Sequence, residues 1–162
     1  MRAAVVTCSN RSASGERPDD SGTLAAQLLG AAGHEVTATV IVPDDIARIR
    51  SAVRAALEQG ARLVVTTGGT GLTPTDVTPE AVGPMLERHI PGIAETIRAA
   101  SRERVPTSIL SRGVAGTVGC AVVVTLPGSP GGVKDGITVL LPILDHLLDQ
   151  IGGGDHRPGG GI

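Results

Sequence analysis

The sequence predicts an α/β fold of three layers, α/β/α, in which helices cover both faces of a doubly wound, mostly parallel sheet. Short apolar runs rich in β-branched residues alternate along the chain with longer stretches whose apolar residues recur at helical spacing. Polar or glycine-rich turns follow several of these runs, which is where open α/β sheets bind ligands. We therefore predict one domain, residues 1–151, followed by a flexible Gly-rich C-terminal tail, residues 152–162.

The composition excludes several functional classes. The net charge of -2 and the isoelectric point near 6.0 argue against a nucleic-acid partner, which requires a basic surface. No stretch reaches the ~18 apolar residues of a membrane span, and the N-terminus has no signal-peptide pattern. We therefore expect a cytoplasmic protein with no membrane partner. The chain has no Phe, Tyr or Trp, so its core must be aliphatic.

The cysteines and histidines indicate neither a disulfide nor a zinc site. Cys8 and Cys120 lie in apolar surroundings and are expected to be buried, free thiols, as is typical of a reducing compartment. The histidines are scattered along the chain without the spacing of zinc ligands.

The first strand is predicted at residues 3–7, and a polar loop at residues 8–15 would lie at its carboxyl end. Asp20 and Ser21 then precede a helix that ends near Gly33. Both residue types suit helix capping and ligand contact equally well, so the sequence leaves these two roles open.

A second strand is predicted at residues 36–42, and Pro43 ends it. Asp44 and Asp45 follow and start a helix whose apolar residues recur at helical spacing as far as Leu57. An acid at a helix start is usually a cap and a partner for the helix dipole. Position alone therefore favours capping for Asp44.

The most informative segment is residues 66–82, which a buried strand at residues 63–65 precedes. Gly68, Gly69 and Gly71 are predicted to adopt positive φ and to let the backbone approach a ligand closely. Such a loop between a strand and a helix can present backbone N–H groups to an anion, usually a phosphate. The segment is therefore a candidate phosphate-binding loop.

The end of this segment predicts a helix start, with Thr78 as the N-cap and Pro79 at the first helical position. No Gly-Lys-Ser/Thr follows the glycines, and Gly-x-Gly-x-x-Gly does not match, which excludes the Walker and dinucleotide patterns. An ordinary strand-to-helix turn is the alternative. It would account for one or two glycines, but not for several loop threonines with an acid between them.

Two helices are predicted next, at residues 79–88 and 93–104, with Pro91 and Gly92 between them. An extended segment begins at Ser111. Residues 118–126 are predicted to form one buried strand, because their centre is too β-branched for a helix.

A second glycine-rich turn, residues 127–132, follows this strand and precedes a helix at residues 133–151. Pro142 falls inside that helix and should kink it. Two glycine-rich turns at strand ends imply one crevice bordered by both.

The glycine-rich segment resembles the MogA/MoaB family of molybdenum cofactor biosynthesis, whose domain also occurs in gephyrin. The resemblance rests on residues 67–71, Thr-Gly-Gly-Thr-Gly, followed by residues 76–80, Asp-Val-Thr-Pro-Glu. Further matches stand in the order of the family: Asp20-Ser21-Gly22, Pro43-Asp44, Pro91-Gly92 followed by Glu95, and Leu126-Pro127-Gly128-Ser129-Pro130. The match covers nearly the whole chain except the tail.

The resemblance implies an adenylyltransferase that uses MgATP and molybdopterin and forms adenylyl-molybdopterin and pyrophosphate. It also implies a homotrimer, with the molybdate-inserting enzyme of the pathway as a candidate partner. The family also contains MoaB-type paralogues that would bind molybdopterin or finished cofactor without adenylylating it. Some members carry basic side chains where this chain has Pro74 and Thr75, which leaves the loop less positive.

Matched to the family motif, Asp44 and Asp76 would be the catalytic acids and the carboxylates that hold Mg²⁺. For Asp44 this implied role replaces the capping role that its place at a helix start favours. The nucleophile would be the phosphate of the substrate, so no Ser, Cys or Lys nucleophile is needed. Lys134 and Arg112 are candidate contacts for the pterin phosphate. The residues implied to bind nucleotide and molybdopterin are Ser9, Asp20, Thr67, Gly68, Gly69, Thr70, Gly71, Glu95, Ser111, Pro127, Gly128 and Ser129.

Overall fold

The computed structural model describes residues 1–154 and contains a six-stranded sheet in the order β2-β1-β3-β6-β5-β4. The strands are β1 (Arg2–Cys8), β2 (Glu35–Val42), β3 (Leu63–Thr67), β4 (Arg88–His89), β5 (Ala115–Val118) and β6 (Ala121–Leu126). The first four strands in the sheet order are parallel, whereas β5 pairs antiparallel with both β6 and β4 at one side of the sheet. The predicted doubly wound, mostly parallel sheet is confirmed.

Helices cover both faces of the sheet, as predicted for three layers. They are α1 (Asn10–Ala13), α2 (Asp20–Ala31), α3 (Ile46–Glu58), α4 (Thr78–Val82), α5 (Pro91–Ser101), α6 (Pro130–Leu140) and α7 (Leu144–Ile151). Side chains of α2, α5, α6 and α7 belong to the hydrophobic cluster on one face. Those of α3 and α4 belong to the cluster on the other face. None of these helices is long and apolar enough to cross a bilayer.

The core is aliphatic, as the absence of aromatic residues requires. Along β3, Val64 packs into one cluster and Val65 into the other, and both are fully buried. Val123 and Val124 of β6 divide between the two clusters in the same way. Parallel strands covered on both faces need apolar residues at every position, which is why these runs show no alternation.

Two predicted elements differ from those in the structure. The helix predicted at residues 79–88 ends at Val82, and the 3-10 turn Gly83–Met85 then leads into β4. The strand predicted at residues 118–126 is interrupted after Val118, because Gly119 adopts a φ of 54° and turns the chain into the β5–β6 hairpin. A short hairpin turn is difficult to detect in sequence when apolar residues flank it on both sides.

Three other predictions concern the burial of the two cysteines, the effect of Pro142 and the C-terminal tail. Cys8 is buried, as expected, but Cys120 lies in the hairpin turn and is exposed, so its predicted burial was wrong. Pro142 breaks the last helix as predicted, through the 3-10 turn Leu141–Ile143. The tail predicted to be flexible lies outside the described residues from 155 onward.

The sheet topology places several loops at one edge. β1 lies between β2 and β3, and the connections that follow β1 and β3 leave on opposite faces of the sheet. A topological switch point, where open α/β sheets bind ligands, therefore lies between these two strands. The loop after β1 begins at Ser9, and the glycine-rich segment begins where β3 ends at Thr67. The loop after β6 begins at Pro127 next to them. Parallel strands therefore bring both glycine-rich turns to the same carboxyl edge.

Candidate active site

The glycine loop after β3 turns at two residues with left-handed backbone. Gly68 has a φ of 89° and Gly69 a φ of 62°, as predicted for both. A Cβ on Gly68 would overlap the carbonyl oxygen of Cys8, and one on Gly69 would overlap the hydroxyl of Thr78. Gly71 does not adopt positive φ, so that prediction was wrong. Gly71 lacks room instead, because a Cβ there would lie 2.8 Å from Oδ2 of Asp76.

Thr78 fixes the loop but is not the N-cap of α4. Its hydroxyl donates to the carbonyl of Gly68 at 2.9 Å, and its backbone N–H donates to the carbonyl of Gly69 at 3.0 Å. The N-cap position belongs to Val77, without a side-chain capping bond, so the predicted cap was wrong. Thr78 is fully buried, and its hydroxyl turns toward the loop because the Gly68 carbonyl needs a donor there.

The backbone carbonyls of the glycine loop accept hydrogen bonds, whereas several of its backbone N–H groups remain available to a ligand. In the part of the chain that the structure describes, the N–H groups of Gly69, Thr70 and Gly71 donate no hydrogen bond. Successive free amides in a turn of this kind form a concave site for an anion. The predicted phosphate-binding geometry therefore rests on the loop backbone and not on the short helix that follows.

The second glycine-rich turn packs directly against the first. A Cβ on Gly128 would lie 3.1 Å from the Cα of Gly68, a tight contact that would press the two turns apart. The N–H of Gly68 donates to the carbonyl of Leu126 at 3.1 Å and joins the ends of β3 and β6. Ser129 caps α6 by accepting from the N–H of Gly132 at 3.2 Å. The two turns do border a ligand-sized space as predicted, but together they form a wall between two pockets, so the prediction of one crevice was wrong.

A polar pocket of about 200 Å³ lies on one side of this wall. It is formed by the loops after β1 and β2, the start of α2, the glycine loop and the second turn. Among its described lining residues, four carboxylates accompany one cation, Arg17. The lining residues are Thr7, Cys8, Ser9, Ser12, Arg17, Pro18, Asp19, Asp20, Ser21, Asp44, Thr67, Gly68, Gly69, Asp76 and Gly128.

Asp44 faces this pocket because the neighbouring acid performs the capping. Asp45 caps α3 by accepting from the N–H of Arg48 at 2.8 Å. Oδ2 of Asp44 accepts from the N–H of Asn10 at 2.9 Å, and Oδ1 would lie 3.2 Å from a Cβ on Gly69. Partial burial raises the pKa of the Asp44 carboxyl above its ordinary value; the bond from Asn10 opposes this rise, and the charge of Asp76 adds to it.

Asp76 is held within its own loop. Its Oδ2 accepts from the backbone N–H of Thr73 at 2.8 Å and from the Thr73 hydroxyl at 2.7 Å. Oδ1 of Asp76 accepts no hydrogen bond from a described residue, and the same holds for Oδ1 of Asp44. Each carboxylate therefore has one oxygen fixed by the protein and one oxygen available to a ligand.

These two oxygens suit a hard divalent cation that keeps most of its other ligands. Within residues 1–154, no group of three or more His, Cys, Asp or Glu converges in a way that could hold a metal on its own. Mg²⁺ usually takes one or two protein carboxylates and completes its shell with phosphate oxygens and water. The donor set of Asp44 and Asp76 is consistent with this mode of binding.

Asp19 is a pocket residue that sequence reasoning missed. Its Oδ2 accepts from the hydroxyl of Thr7 at 2.7 Å, and its Oδ1 accepts from the N–H of Gly22 at 2.8 Å. The Ser21 hydroxyl lies 3.2 Å from Oδ1 of Asp19 and 2.9 Å from the Thr67 hydroxyl. Asp19 therefore caps α2 and joins β1 to β3, whereas the predicted Asp20 is an exposed lining residue.

A second pocket of about 420 Å³ lies on the other side of the glycine wall. Its wall includes aliphatic side chains, Lys134 and a hydrogen-bonded group of Ser101, Arg104 and Asp135. Arg104 pairs with Asp135 at 2.6 Å, and Ser101 donates to the same carboxylate. The lining residues are Thr70, Gly71, Ser101, Arg104, Val105, Thr107, Ser108, Leu110, Ser111, Pro127, Ser129, Gly131, Gly132, Lys134 and Asp135.

The predicted site residues thus divide between the two pockets, with one exception. The polar pocket contains Ser9, Asp20, Asp44, Thr67, Gly68, Gly69, Asp76 and Gly128. The second pocket contains Thr70, Gly71, Ser111, Pro127 and Ser129. Glu95 lies on the exposed side of α5 and lines neither pocket.

The two candidate cations for the pterin phosphate also differ. Lys134 lines the second pocket and is exposed there. Arg112 lines neither pocket, because its guanidinium donates to the carbonyls of Gly71 and Asp76 and pairs with Glu80. The structure therefore gives Arg112 a role within the loop and leaves Lys134 as the candidate for contact with an anion.

Comparison with known proteins gives one consistent family. Residues 4–146 match a family model described as "Probable molybdopterin binding domain". A protein of Pyrococcus furiosus named molybdopterin adenylyltransferase is 38% identical over 149 residues, which are 89% of this chain and 87% of that protein. Molybdenum cofactor biosynthesis protein B of Bacillus cereus is 40% identical over 155 residues, covering 93% of this chain and 90% of that protein.

The fold is also found among solved structures. The molybdopterin biosynthesis Mog protein from Mycobacterium ulcerans is similar with a TM-score of 0.88 and 43% identity, over 93% of this chain and 99% of that chain. The chain spans about half the length of two further curated relatives, bifunctional molybdenum cofactor biosynthesis proteins of Chlorobaculum tepidum and Synechococcus elongatus, of which it covers 50% and 48%.

Proposed function

Because this chain belongs to the family of molybdopterin-binding domains of molybdenum cofactor biosynthesis, we propose that it is a molybdopterin adenylyltransferase. In the proposed reaction, an oxygen of the terminal phosphate of molybdopterin attacks the α-phosphorus of ATP. A new P–O bond forms there, and the bond to the β-phosphate breaks. Pyrophosphate leaves with the bonding electron pair, and adenylyl-molybdopterin is the second product.

One observation carries this proposal. Among the described residues, none donates a hydrogen bond to Oδ1 of Asp44 or Asp76, and both carboxylates line the pocket that also contains Gly68 and Gly69 of the glycine loop. Carboxylates beside an anion-binding loop would repel a triphosphate unless a cation lies between them. The arrangement is therefore suited to a magnesium nucleotide and poorly suited to a free anion.

The chain would contribute positioning and charge stabilisation to this reaction. When bound, Mg²⁺ would neutralise phosphate charge, and Asp44 and Asp76 are the residues that would hold it. The free N–H groups of Gly69, Thr70 and Gly71 would bind phosphate oxygens. The nucleophile belongs to the substrate, so the residues only have to orient two substrates and stabilise the developing charge.

The second pocket would accept a ring system of one of the two substrates. Val105, Leu110 and Pro127 provide aliphatic walls, since the chain has no aromatic side chain on which a ring could stack. Lys134 lies at the same pocket and would contact a phosphate. The glycine loop contributes residues to both pockets, so it would contact ligands on both sides of the wall.

We also propose a cytoplasmic homotrimer, with the molybdate-inserting enzyme as a candidate partner. The mean hydropathy of +0.20 and the exposed side chains of Leu72 and Ile109, which line neither pocket, support an oligomer, because exposed apolar surface often belongs to an interface. Sedimentation velocity at micromolar concentration tests this proposal, and a monomer there would contradict it.

The second candidate function is a MoaB-type protein that binds molybdopterin or finished cofactor without adenylylating it. Pro74 and Thr75 favour it, because they leave the loop without the basic side chains that some relatives have there. The polar pocket, with its four carboxylates and Arg17, offers little positive charge of its own. Both candidates share the pockets and differ in whether ATP is consumed.

Incubation of the purified protein with molybdopterin and MgATP tests the choice. The adenylyltransferase produces adenylyl-molybdopterin, detected by mass spectrometry, and the product is absent when EDTA is added. Molybdopterin binding without any product would support the non-catalytic candidate.

A further inference from the structure

Arg112 is the residue that joins the two ends of the exposed loop carrying Asp76. Its backbone N–H donates to the carbonyl of Thr70 at 2.8 Å. Its Nε donates to the carbonyl of Gly71 at 2.8 Å, and its Nη2 donates to the carbonyl of Asp76 at 2.7 Å. One side chain therefore binds the backbone at the beginning and at the end of residues 71–76.

The exposed part of the loop has few other attachments to the described part of the chain. Thr70 and Thr78 are buried and Val77 packs, partly buried, against the hydrophobic cluster of α3 and α4, but residues 72–75 of the loop are exposed. Its internal bonds join Thr73 to Asp76 and set the local turn, but they do not attach that turn to the sheet. A segment with so little buried apolar surface opens easily unless polar bonds hold it.

Glu80 orients the guanidinium that makes these bonds. Its carboxylate accepts from Nη1 of Arg112, and Nη2 of Arg112 lies 3.4 Å from the second carboxylate oxygen. The bond from Arg112 lowers the pKa of Glu80, so this carboxylate stays ionised at neutral pH. Arg112 has donors in a fixed planar arrangement, which lets it serve two carbonyls and one carboxylate at once.

We infer that Arg112 is the positioning residue for Asp76, and that it keeps the loop closed so that the Asp76 carboxylate faces the glycine loop. Gly71 and Asp76 are in contact, since a Cβ on Gly71 would lie 2.8 Å from Oδ2 of Asp76. The bonds from Arg112 to both residues fix this contact. The inference rests on the proposed function only where it assigns Asp76 to the reaction.

Arg50 offers a matched control, because it is a second arginine that attaches the same region from another side. Its Nε donates to the carbonyl of Ala81 at 2.9 Å, and its Nη2 donates to the carbonyl of Glu80 at 2.9 Å. Arg50 therefore binds α4 and leaves the loop itself untouched. Loss of either arginine removes two bonds to backbone carbonyls, and loss of Arg112 also removes the ion pair with Glu80. Only loss of Arg112 removes a bond to the backbone of Asp76.

The first measurement is hydrogen exchange of the loop in the ligand-free protein, compared between Arg112→Gln and Arg50→Gln. We expect the amides of Thr73 and Asp76 to exchange ~10-fold faster or more in Arg112→Gln, because charge-assisted hydrogen bonds are among the stronger ones. In Arg50→Gln these amides should exchange at the wild-type rate. Unchanged exchange in Arg112→Gln, or equal acceleration in both variants, would overturn the inference.

The second measurement is the rate of adenylyl transfer. Arg112→Gln should lower kcat by roughly the same factor as Asp76→Asn and leave KM for molybdopterin unchanged. The double variant should be no slower than either single variant, since the effects of residues that act as a unit do not add. Arg112→Lys, which keeps the charge, should restore part of the rate. Additive losses, or a change in KM alone, would overturn the inference. A wild-type protein without product would refute the proposed function, whereas the exchange result would still decide the role of Arg112.

Discussion

Asn10 and Asp44 hydrogen-bond to each other twice, across the loops that follow β1 and β2. The N–H of Asn10 donates to Oδ2 of Asp44 at 2.9 Å, and the N–H of Asp44 donates to Oδ1 of Asn10 at 3.0 Å. These bonds fix the Asp44 carboxylate while its other oxygen stays available in the polar pocket. Asp44 is therefore held for a ligand at a position where its charged form is disfavoured.

We predict that Asp44→Asn raises the stability of the ligand-free protein at neutral pH. The same substitution should lower the rate of product formation by on the order of 100-fold or more, a typical loss for an electrostatic contact made in the transition state. Burial raises the pKa of Asp44 in the folded state. The stability that this group contributes is therefore present below its ordinary pKa and lost as pH rises through the raised value. The amide carries no charge and avoids this loss.

Thermal unfolding of both proteins at pH 4 and pH 7 checks the stability part. The difference in Tm should be larger at pH 7 than at pH 4. A variant that is less stable than the wild type at pH 7 would show that the ionised carboxylate stabilises the folded protein.

We predict that Asp76→Asn changes the free energy of unfolding by less than ~1 kcal/mol, because Asn replaces Asp well in local turns of this kind. Its side-chain oxygen can still accept from the N–H and hydroxyl of Thr73. The variant should bind molybdopterin and form product far more slowly. Calorimetry and product analysis check both parts, and product at the wild-type rate would remove Asp76 from the mechanism.

We predict that Gly69→Ala weakens binding of ATP, while Gly15→Ala does not. Both glycines have left-handed backbone, with φ values of 62° and 78°, so each substitution carries a similar strain of about 1 kcal/mol. A Cβ at Gly69 meets the hydroxyl of Thr78 and lies 3.2 Å from Oδ1 of Asp44, whereas one at Gly15 meets no atom within 4 Å. Equal ATP affinity of the two variants, measured by titration calorimetry, would mean that the loop does not bind the nucleotide.

We predict that one thiol per chain reacts with Ellman's reagent in the folded protein, and that this thiol is Cys120, which is exposed. Cys8 is buried, and burial raises the pKa of its thiol to about 12, so it stays protonated and inaccessible at neutral pH. It should react only after denaturant is added. Titration of Cys120→Ser in the native state checks this, and rapid reaction of that variant would contradict the burial of Cys8.

The parallel strands and the position of the site were predictable from sequence because both depend on local patterns, whereas β4 and the β5–β6 hairpin were missed. Val64 and Val123 lie in runs that only a sheet buried on both faces accommodates, and the loops after those runs must meet at one edge. Gly68 and Gly69 were predictable for a similar reason, since a turn at a strand end needs positive φ.

Other features depend on tertiary partners that the sequence does not reveal. Thr78 precedes a proline and has the pattern of an N-cap, but the carbonyl of Gly68 takes its hydroxyl. Asp19 and Asp20 are adjacent acids, and only the fold shows that Asp19 reaches Thr7. The partners of Arg112 are separated from it by more than thirty positions, so its attachment to the loop could not be predicted.

The most direct test of the proposed adenylyl transfer follows a phosphorus label from ATP under single-turnover conditions. With the label at the α-phosphate, we expect molybdopterin-dependent appearance of the label in the pterin product, and its loss in Asp44→Asn and Asp76→Asn. With the label at the γ-phosphate, we expect the label in pyrophosphate and none in the pterin. Label from the γ-position in the pterin, or no transfer from either position by a protein that binds both substrates, would refute adenylyl transfer.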